Sequence, residues 1–160
     1  MSDQTFRALV VSENIDGSFH REIKTKHISD LPSGEVLIKS KYAGLNYKDA
    51  LSASGHKGIT KQFPHTPGVD VSGIVEESSN DSFNIGDAVI VTGYDLGMNT
   101  SGGFQEYVRV PSEWVVKKPE GLGLYESMIL GTAGFTAALS LYNLEKMGQT
   151  PSLGEILVTG

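Results

Sequence analysis

The 160-residue sequence contains no cysteine. That excludes disulfide bonds, thiolate metal sites and cysteine nucleophiles, and it fits a reducing compartment such as the cytoplasm. Positive charge is also scarce: 13 Lys and Arg stand against 19 Asp and Glu, a formal net charge of −6. A general nucleic-acid binder needs a basic face, so that class is set aside. Residues 1–7 carry no apolar run of the kind a signal peptide needs. One long stretch without charge spans residues 127–144, but it holds Gly131, Thr132, Gly134, Thr136, Ser140 and Asn143. We read it as a buried helix and expect no membrane span. At this length one sizeable core can be buried, with room for one domain or one domain plus a piece of another.

Short strands separated by Gly and Pro fill the first 118 residues. Residues 6–11 and 19–24 read as a hairpin around Asp16-Gly17. A strand is expected over 36–42, after the break at Pro32-Ser33-Gly34. Residues 69–75 are small and β-branched, and Gly73 within them marks a bulge or a close backbone approach. A polar turn over 76–81, a strand over 88–91, a period-2 strand over 104–110 and a short strand over 114–118 complete the set. The pattern predicts a compact β barrel or sandwich. Near residue 120 the character changes. Leu124 to Met147 reads as one helix with Gly148 after it, and residues 155–160 read as a buried parallel strand entering a glycine turn. Helix, apolar strand and glycine in that order open a dinucleotide-binding domain, but the glycine-rich phosphate loop that would follow is absent.

Between the strand at 36–42 and the Pro-rich segment at 63–68 lies Gly44-Leu45-Asn46-Tyr47-Lys48-Asp49-Ala50. Asn46 and Asp49 have the spacing of a helix N-cap and its reciprocal partner, and Gly55 suits the helix end. Tyr47 then stands in the first turn. Asp49 reads as part of the cap, Asp70 as an anchor for loop amides, and Asp87 as turn chemistry. Lys57 and Lys61 lie in a Gly-containing loop, where they either meet solvent or contact a phosphate. His20, His27, His56 and His65 are scattered, without the close pairing of a metal site.

Five stretches in order carry a resemblance: Leu45 to Ala50, Pro67 to Gly73, Gly103 to Tyr107, Gly131 to Ala137, and Ile156 to Gly160. Together they resemble the zinc-independent quinone oxidoreductases, acrylyl-CoA reductases among them, of the medium-chain dehydrogenase/reductase superfamily. The resemblance implies a mainly β fold with some α. A GroES-like substrate-side barrel would cover residues 1–122. A truncated start of a Rossmann (doubly wound α/β) domain would cover 123–160. It implies NADPH as cofactor and hydride delivery to an activated double bond of a small molecule (quinone, enone or acrylyl thioester). Tyr47 would be the catalytic hydrogen-bond or proton donor. Asn46, Tyr47, Thr132, Thr136 and Gly160 would meet the cofactor, with small Gly131, Ala133 and Gly134 letting a flat ring approach. Zinc-dependent relatives use a Cys and a His-Glu pair where this chain has Asn46-Tyr47 and Val69-Asp70, so no metal is expected. A homodimer would form mainly through the missing domain. The rival expectations are a non-catalytic barrel module without cofactor and, less favoured by the ligand set, an alcohol dehydrogenase that has lost zinc. The exposed apolar surface of 123–160 would make the isolated chain poorly behaved.

Overall fold

Seven strands and two α-helices follow one another in the computed structural model, which describes residues 4–159. Strands β1 (Thr5–Glu13) and β2 (Phe19–His27) form an antiparallel hairpin, longer than the sequence pattern indicated. Its turn is held by Asp16, whose Oδ1 accepts from the Ser18 amide at 3.0 Å and the Ser18 hydroxyl at 2.6 Å. Alternation along β1 puts Phe6, Ala8 and Val10 inside and Arg7 outside.

The second sheet has five antiparallel strands in the order β6-β3-β4-β5-β7. They are β3 (Val36–Ala43), β4 (Asp70–Ser78), β5 (Ala88–Thr92), β6 (Tyr107–Val110) and β7 (Val116–Lys117). Its inner face is Val36, Ile38, Val71, Val75, Val89, Val91, Val108 and Val110, all buried. Stiff β-branched side chains suit a pleated surface. Burying each is worth about 1.5–3 kcal/mol before entropy is counted. Gly73 stands where β3 bulges: Ser40 pairs with Gly73 and Tyr42 with Ser72, leaving Lys41 over. A Cβ at Gly73 would lie 2.2 Å from the Lys39 carbonyl oxygen, so the close approach expected from sequence is real.

Several expectations shift. The strand at 104–110 divides: only Tyr107–Val110 joins the five-stranded sheet. Residues 104–106 instead bridge the two sheets, with the Leu9 amide donating to the Phe104 carbonyl (2.9 Å), Glu106 to Arg7 (3.0 Å) and Ser40 to Glu106 (2.9 Å). β4 runs on through Ser78, into the segment expected as turn. The strand at 114–118 is a single 3-10 turn, Ser112–Trp114, followed by two-residue β7.

Helix α1 (Tyr47–Ala53) begins as its sequence predicts: the Asn46 amide donates to Asp49 Oδ2 at 2.8 Å, and Ser54 and Gly55 close it. Helix α2 (Leu124–Lys146) corrects two expectations. It breaks at Gly131 (φ 50°, ψ −157°), and it is not buried. Ser127, Met128 and Gly131 face the barrel, while Leu130, Phe135, Leu139, Leu141 and Tyr142 are exposed. Residues 155–159 form no strand and are exposed, because a parallel strand needs neighbours to take its backbone bonds and none of the described residues supplies them. Gly160 lies outside the described residues. Among those residues no helix is long and apolar enough to cross a membrane.

Candidate functional site

Asp70, the first residue of β4, is 1% exposed and joins three parts of the chain. Its Oδ2 accepts from Asn46 Nδ2 at 2.7 Å and from the Thr132 amide at 2.9 Å; its Oδ1 accepts from Thr132 Oγ1 at 2.6 Å. Asn46 caps α1, and Thr132 follows the break in α2. One buried carboxylate thus ties the start of α1 to the kink of α2 across 24 and 62 residues of sequence. Hydrogen bonds to a charged acceptor are the strong ones. Gly131 must be glycine for two reasons. Its φ is positive, and a Cβ there would lie 2.6 Å from Asp70 Oδ2, an atom that its own partners hold in place.

Asp49 supports this join from below. Buried, it accepts from the Asn46 amide (2.8 Å) and the Val69 amide (2.9 Å). Burial pushes its carboxyl up from the ordinary value, the two amide donors pull it back, and the nearby Asp70 charge raises it further. Asp49 anchors the cap and the Val69 amide, whereas Asp70, expected to anchor loop amides, instead holds the Asn46 side chain and the amide and hydroxyl of Thr132 in α2.

Thr132 and Thr136 line a cavity of about 390 Å³, with Phe135 beside them on α2. The facing wall is Thr92, Gly93, Tyr94, Trp114 and Val116. Tyr94 and Trp114 stack at 5.4 Å with their planes 7° apart. Tyr94 takes φ 52°, unusual outside glycine. Such a conformation costs of the order of 1–3 kcal/mol and persists where the surroundings hold it. Here the stack and a bond from the Tyr94 hydroxyl to the Glu113 carbonyl (3.2 Å) do so. These two aromatics were missed from sequence. Trp114 is the sole tryptophan of the chain, which was the available signal, but only the fold brings it to Tyr94.

The structure gathers Asn46 and Thr132 through Asp70, and Thr132 and Thr136 on one cavity wall. Tyr47 is apart: it is 79% exposed, does not line the cavity, and its hydroxyl has no partner among the described residues. Lys57 is committed to Glu13 and lies over the rings of Phe19 and Phe63. Asp87 accepts from the Asn84 amide and pairs with Lys117, as turn chemistry requires. A larger cavity, about 460 Å³, opens beside Lys24, Lys26, His65 and Thr100, but no residue singled out from the sequence for catalysis or cofactor contact lines it. Among the described residues no three His, Asp or Glu side chains gather closely enough to hold a metal ion.

The alcohol dehydrogenase GroES-like domain family matches residues 32–120. YhfP of Bacillus subtilis, which carries the name of a quinone oxidoreductase, is 46% identical over 156 residues, covering 97% of this chain and 47% of that protein. Its crystal structure with NAD bound superposes at TM-score 0.92, over 98% of this chain and 47% of that one. The acrylyl-CoA reductase AcuI of Ruegeria pomeroyi is 41% identical over 156 residues, again 97% and 47% of the two chains. The crystal structure of Escherichia coli K-12 YhdH with bound NADPH matches at TM-score 0.87 and 41% identity, over 92% of this chain and 45% of that one. The chain therefore spans about half the length of the relatives it matches. The mainly β fold with its GroES-like topology is shared with the matched parts of the YhfP and YhdH structures. By its matched residues and these relatives, the chain belongs to the alcohol dehydrogenase GroES-like domain family, within the medium-chain dehydrogenase/reductase superfamily.

Proposed function

We propose that this chain is the substrate-side part of an NADPH-dependent reductase of activated double bonds, with residues 1–122 as barrel and 123–160 as the opening of the cofactor domain. The observation that carries the reading is the cavity between the Tyr94–Trp114 stack and the Thr132–Thr136 face of α2. Its volume of about 390 Å³ is in the range of small-molecule sites. A flat ring would lie between the stacked aromatic pair and the α2 wall of Thr132, Phe135 and Thr136. Similar proteins have been crystallised with NADPH and with NAD, and relatives carry quinone oxidoreductase and acrylyl-CoA reductase names.

When bound, a nicotinamide supplies hydride to the β-carbon of a quinone, enone or acrylyl thioester, while the protein binds, orients and polarises. Thr132 and Thr136 hold the ring side of the cofactor. Asn46, fixed by Asp70, borders it, and Gly160 would supply a backbone contact to phosphate. Tyr47 keeps an uncommitted hydroxyl, able to donate to a developing enolate oxygen and pass it a proton. The reaction runs without zinc: Asn46 and Val69 stand at two of the expected ligand positions, and both oxygens of Asp70 are engaged. We place the protein in the cytoplasm, acting on a small molecule, with dimerisation through segments beyond the barrel.

The test is loss of dihydronicotinamide absorbance on adding a quinone or an acrylyl thioester to the longest natural form of the protein. Turnover is expected, and Tyr47→Phe should lower kcat by about 10²–10⁴ with little change in KM if Tyr47 is the acid. Turnover unchanged by Tyr47→Phe would assign the proton to water. Absence of both turnover and NADPH binding would leave a non-catalytic barrel module.

A further inference from the structure

We propose that the cavity between β2 and the segments 64–66 and 99–101 binds the phosphate group of a small molecule, with Lys26 and Thr66 as its donors. This cavity shares no lining residue with the one beside α2, so the inference stands independently of the cofactor reading.

Register places the lysines of this cavity. Lys24 and Lys26 stand opposite Ala8 and Phe6 in the hairpin, and residues paired directly across antiparallel strands share a face. On that face Phe6, Ala8 and Val10 are buried. Lys24 is committed to Glu22 at 2.8 Å. Among the described residues, the half-buried lysines and arginines are Lys26, Arg109 and Lys118. Arg109 pairs with Glu77 at 2.9 Å, and Lys118 donates to the Pro119 carbonyl at 2.9 Å. Lys26 has no such oxygen partner among the described residues and lies over the Phe6 ring, 6.0 Å from its centre. Burial pushes its ammonium below the ordinary lysine value, and the Asp30 charge opposes this. Asp30 Oδ2 is itself held by the His27 amide at 2.8 Å. A half-buried cation short of an acceptor gains from an anion brought beside it.

Thr66 supplies a second donor. It is 2% exposed and lines the same cavity. Its hydroxyl has no partner among the described residues, where the one sealed side-chain atom without a partner is Ser40 Oγ. The Thr66 hydroxyl is therefore reached from the cavity, with its proton free. The walls around it are held in place. His65 Nε2 donates to the Gly97 carbonyl at 2.9 Å, and the Gly102 amide to the Thr66 carbonyl at 2.7 Å. Asp95 takes the Thr100 hydroxyl (3.0 Å) and the Asn99 amide group (3.1 Å). No arginine fork lines the cavity to grip a planar carboxylate. An ammonium and a hydroxyl arriving from separate segments suit a tetrahedral phosphate, for which lysine serves as a point charge. The volume of about 460 Å³ leaves room for the molecule that carries it. Asp30 on the wall disfavours a second anionic group and offers an acceptor to a ligand hydroxyl.

The test titrates the protein with inorganic phosphate, glycerol 3-phosphate and acetate at constant ionic strength. Amide NMR shifts of Lys26, Thr66 and Thr100 report on the site, and those of Thr132 and Phe135 serve as the control. Both phosphates should shift the first set to saturation and leave the second in place. Tighter binding of glycerol 3-phosphate identifies a phosphate monoester as the occupant; equal or weaker binding identifies free phosphate. Lys26→Met should weaken binding about tenfold or more, the size of a hydrogen bond to a charged group, and Thr66→Val should weaken it by less. Lys57→Met removes an ammonium already engaged by Glu13 and should leave the affinity unchanged. If Thr66→Val fails to fold, the two lysine variants decide alone. Absence of a saturable shift with either phosphate, acetate held as tightly as phosphate, or binding that survives Lys26→Met overturns the proposal. The inward lysines would then serve as charges that guard the free edge of β2.

Discussion

The five-stranded sheet and the far half of α2 carry the same kinds of apolar side chain in opposite surroundings. Val36, Ile38, Val71, Val89, Val91, Val108 and Val110 are each 0% exposed, whereas Phe135 and Leu141 are 59% and 58% exposed. The sheet succeeds because its antiparallel strands supply one another with backbone partners and a shared inner face. The helix satisfies its own backbone but needs a second layer to cover its apolar residues, and residues 155–159 need partners even for their backbone. Between the two regions sits Asp70, reaching from the sheet to the kink. The lesson is that burial follows from available partners, and the same composition gives a core in one place and an uncovered surface in the other.

The largest effects should come from the sheet. Ile38→Ala should cost about 2–5 kcal/mol, while Leu141→Ala should stay within about 0.5 kcal/mol; urea midpoints decide both. A similar cost at the two sites would break the contrast. Next comes the join. Asp70→Ala leaves the Thr132 amide and Asn46 amide group short of their acceptor, at about 1–3 kcal/mol. Hydrogen exchange at Thr132 should quicken more than at Ile38. Gly131→Ala should cost about 1–3 kcal/mol from its positive φ alone, and unchanged thermal stability would count against the strain.

A smaller effect concerns acid. Burial pushes the His65 imidazole down from its ordinary value, although its bond to the Gly97 carbonyl (2.9 Å) opposes this. The folded protein thus resists a proton that the unfolded chain takes up near its ordinary value of about 6.5. Stability from neutral His65 is fully present above that pH and is lost as pH falls towards the lower folded value. His65→Gln, which keeps a donor for Gly97, should flatten the fall that sets in below about pH 6.5; an unchanged slope would move the acid sensitivity elsewhere. Least of all, Tyr47→Phe should alter stability by no more than about 0.5 kcal/mol, since it is a surface change, whatever it does to turnover.

Local chemistry was legible in the sequence. Asn46 and Asp49 are three residues apart, and their cap forms as the spacing indicates. Gly73 marked a close approach that the sheet makes. Asp70 was legible as a structural carboxylate, but not its partners: loop amides were expected, and it holds Asn46 and Thr132 instead, the latter 62 residues away with no local pattern to link them. Tyr94 and Trp114 likewise meet only once β5 and the turn before β7 are in place. The strand expected at 155–160 was read from composition, which reports apolarity but not whether neighbours exist to pair with it. The break in α2 was hidden because Leu130, Ala133 and Ala137 keep helical spacing across Gly131.

The central claim is that the face of α2 pinned by Asp70 and the Tyr94–Trp114 stack together receive a nicotinamide ring. Trp114 is the only tryptophan in the chain and lines that cavity, so its fluorescence reports on the site alone. Titrating NADPH should quench Trp114 with saturation and give sensitised emission from the dihydronicotinamide, and Thr132→Val should weaken the response. Trp114 emission that stays unchanged, with no sensitised emission at saturating NADPH, would contradict the account.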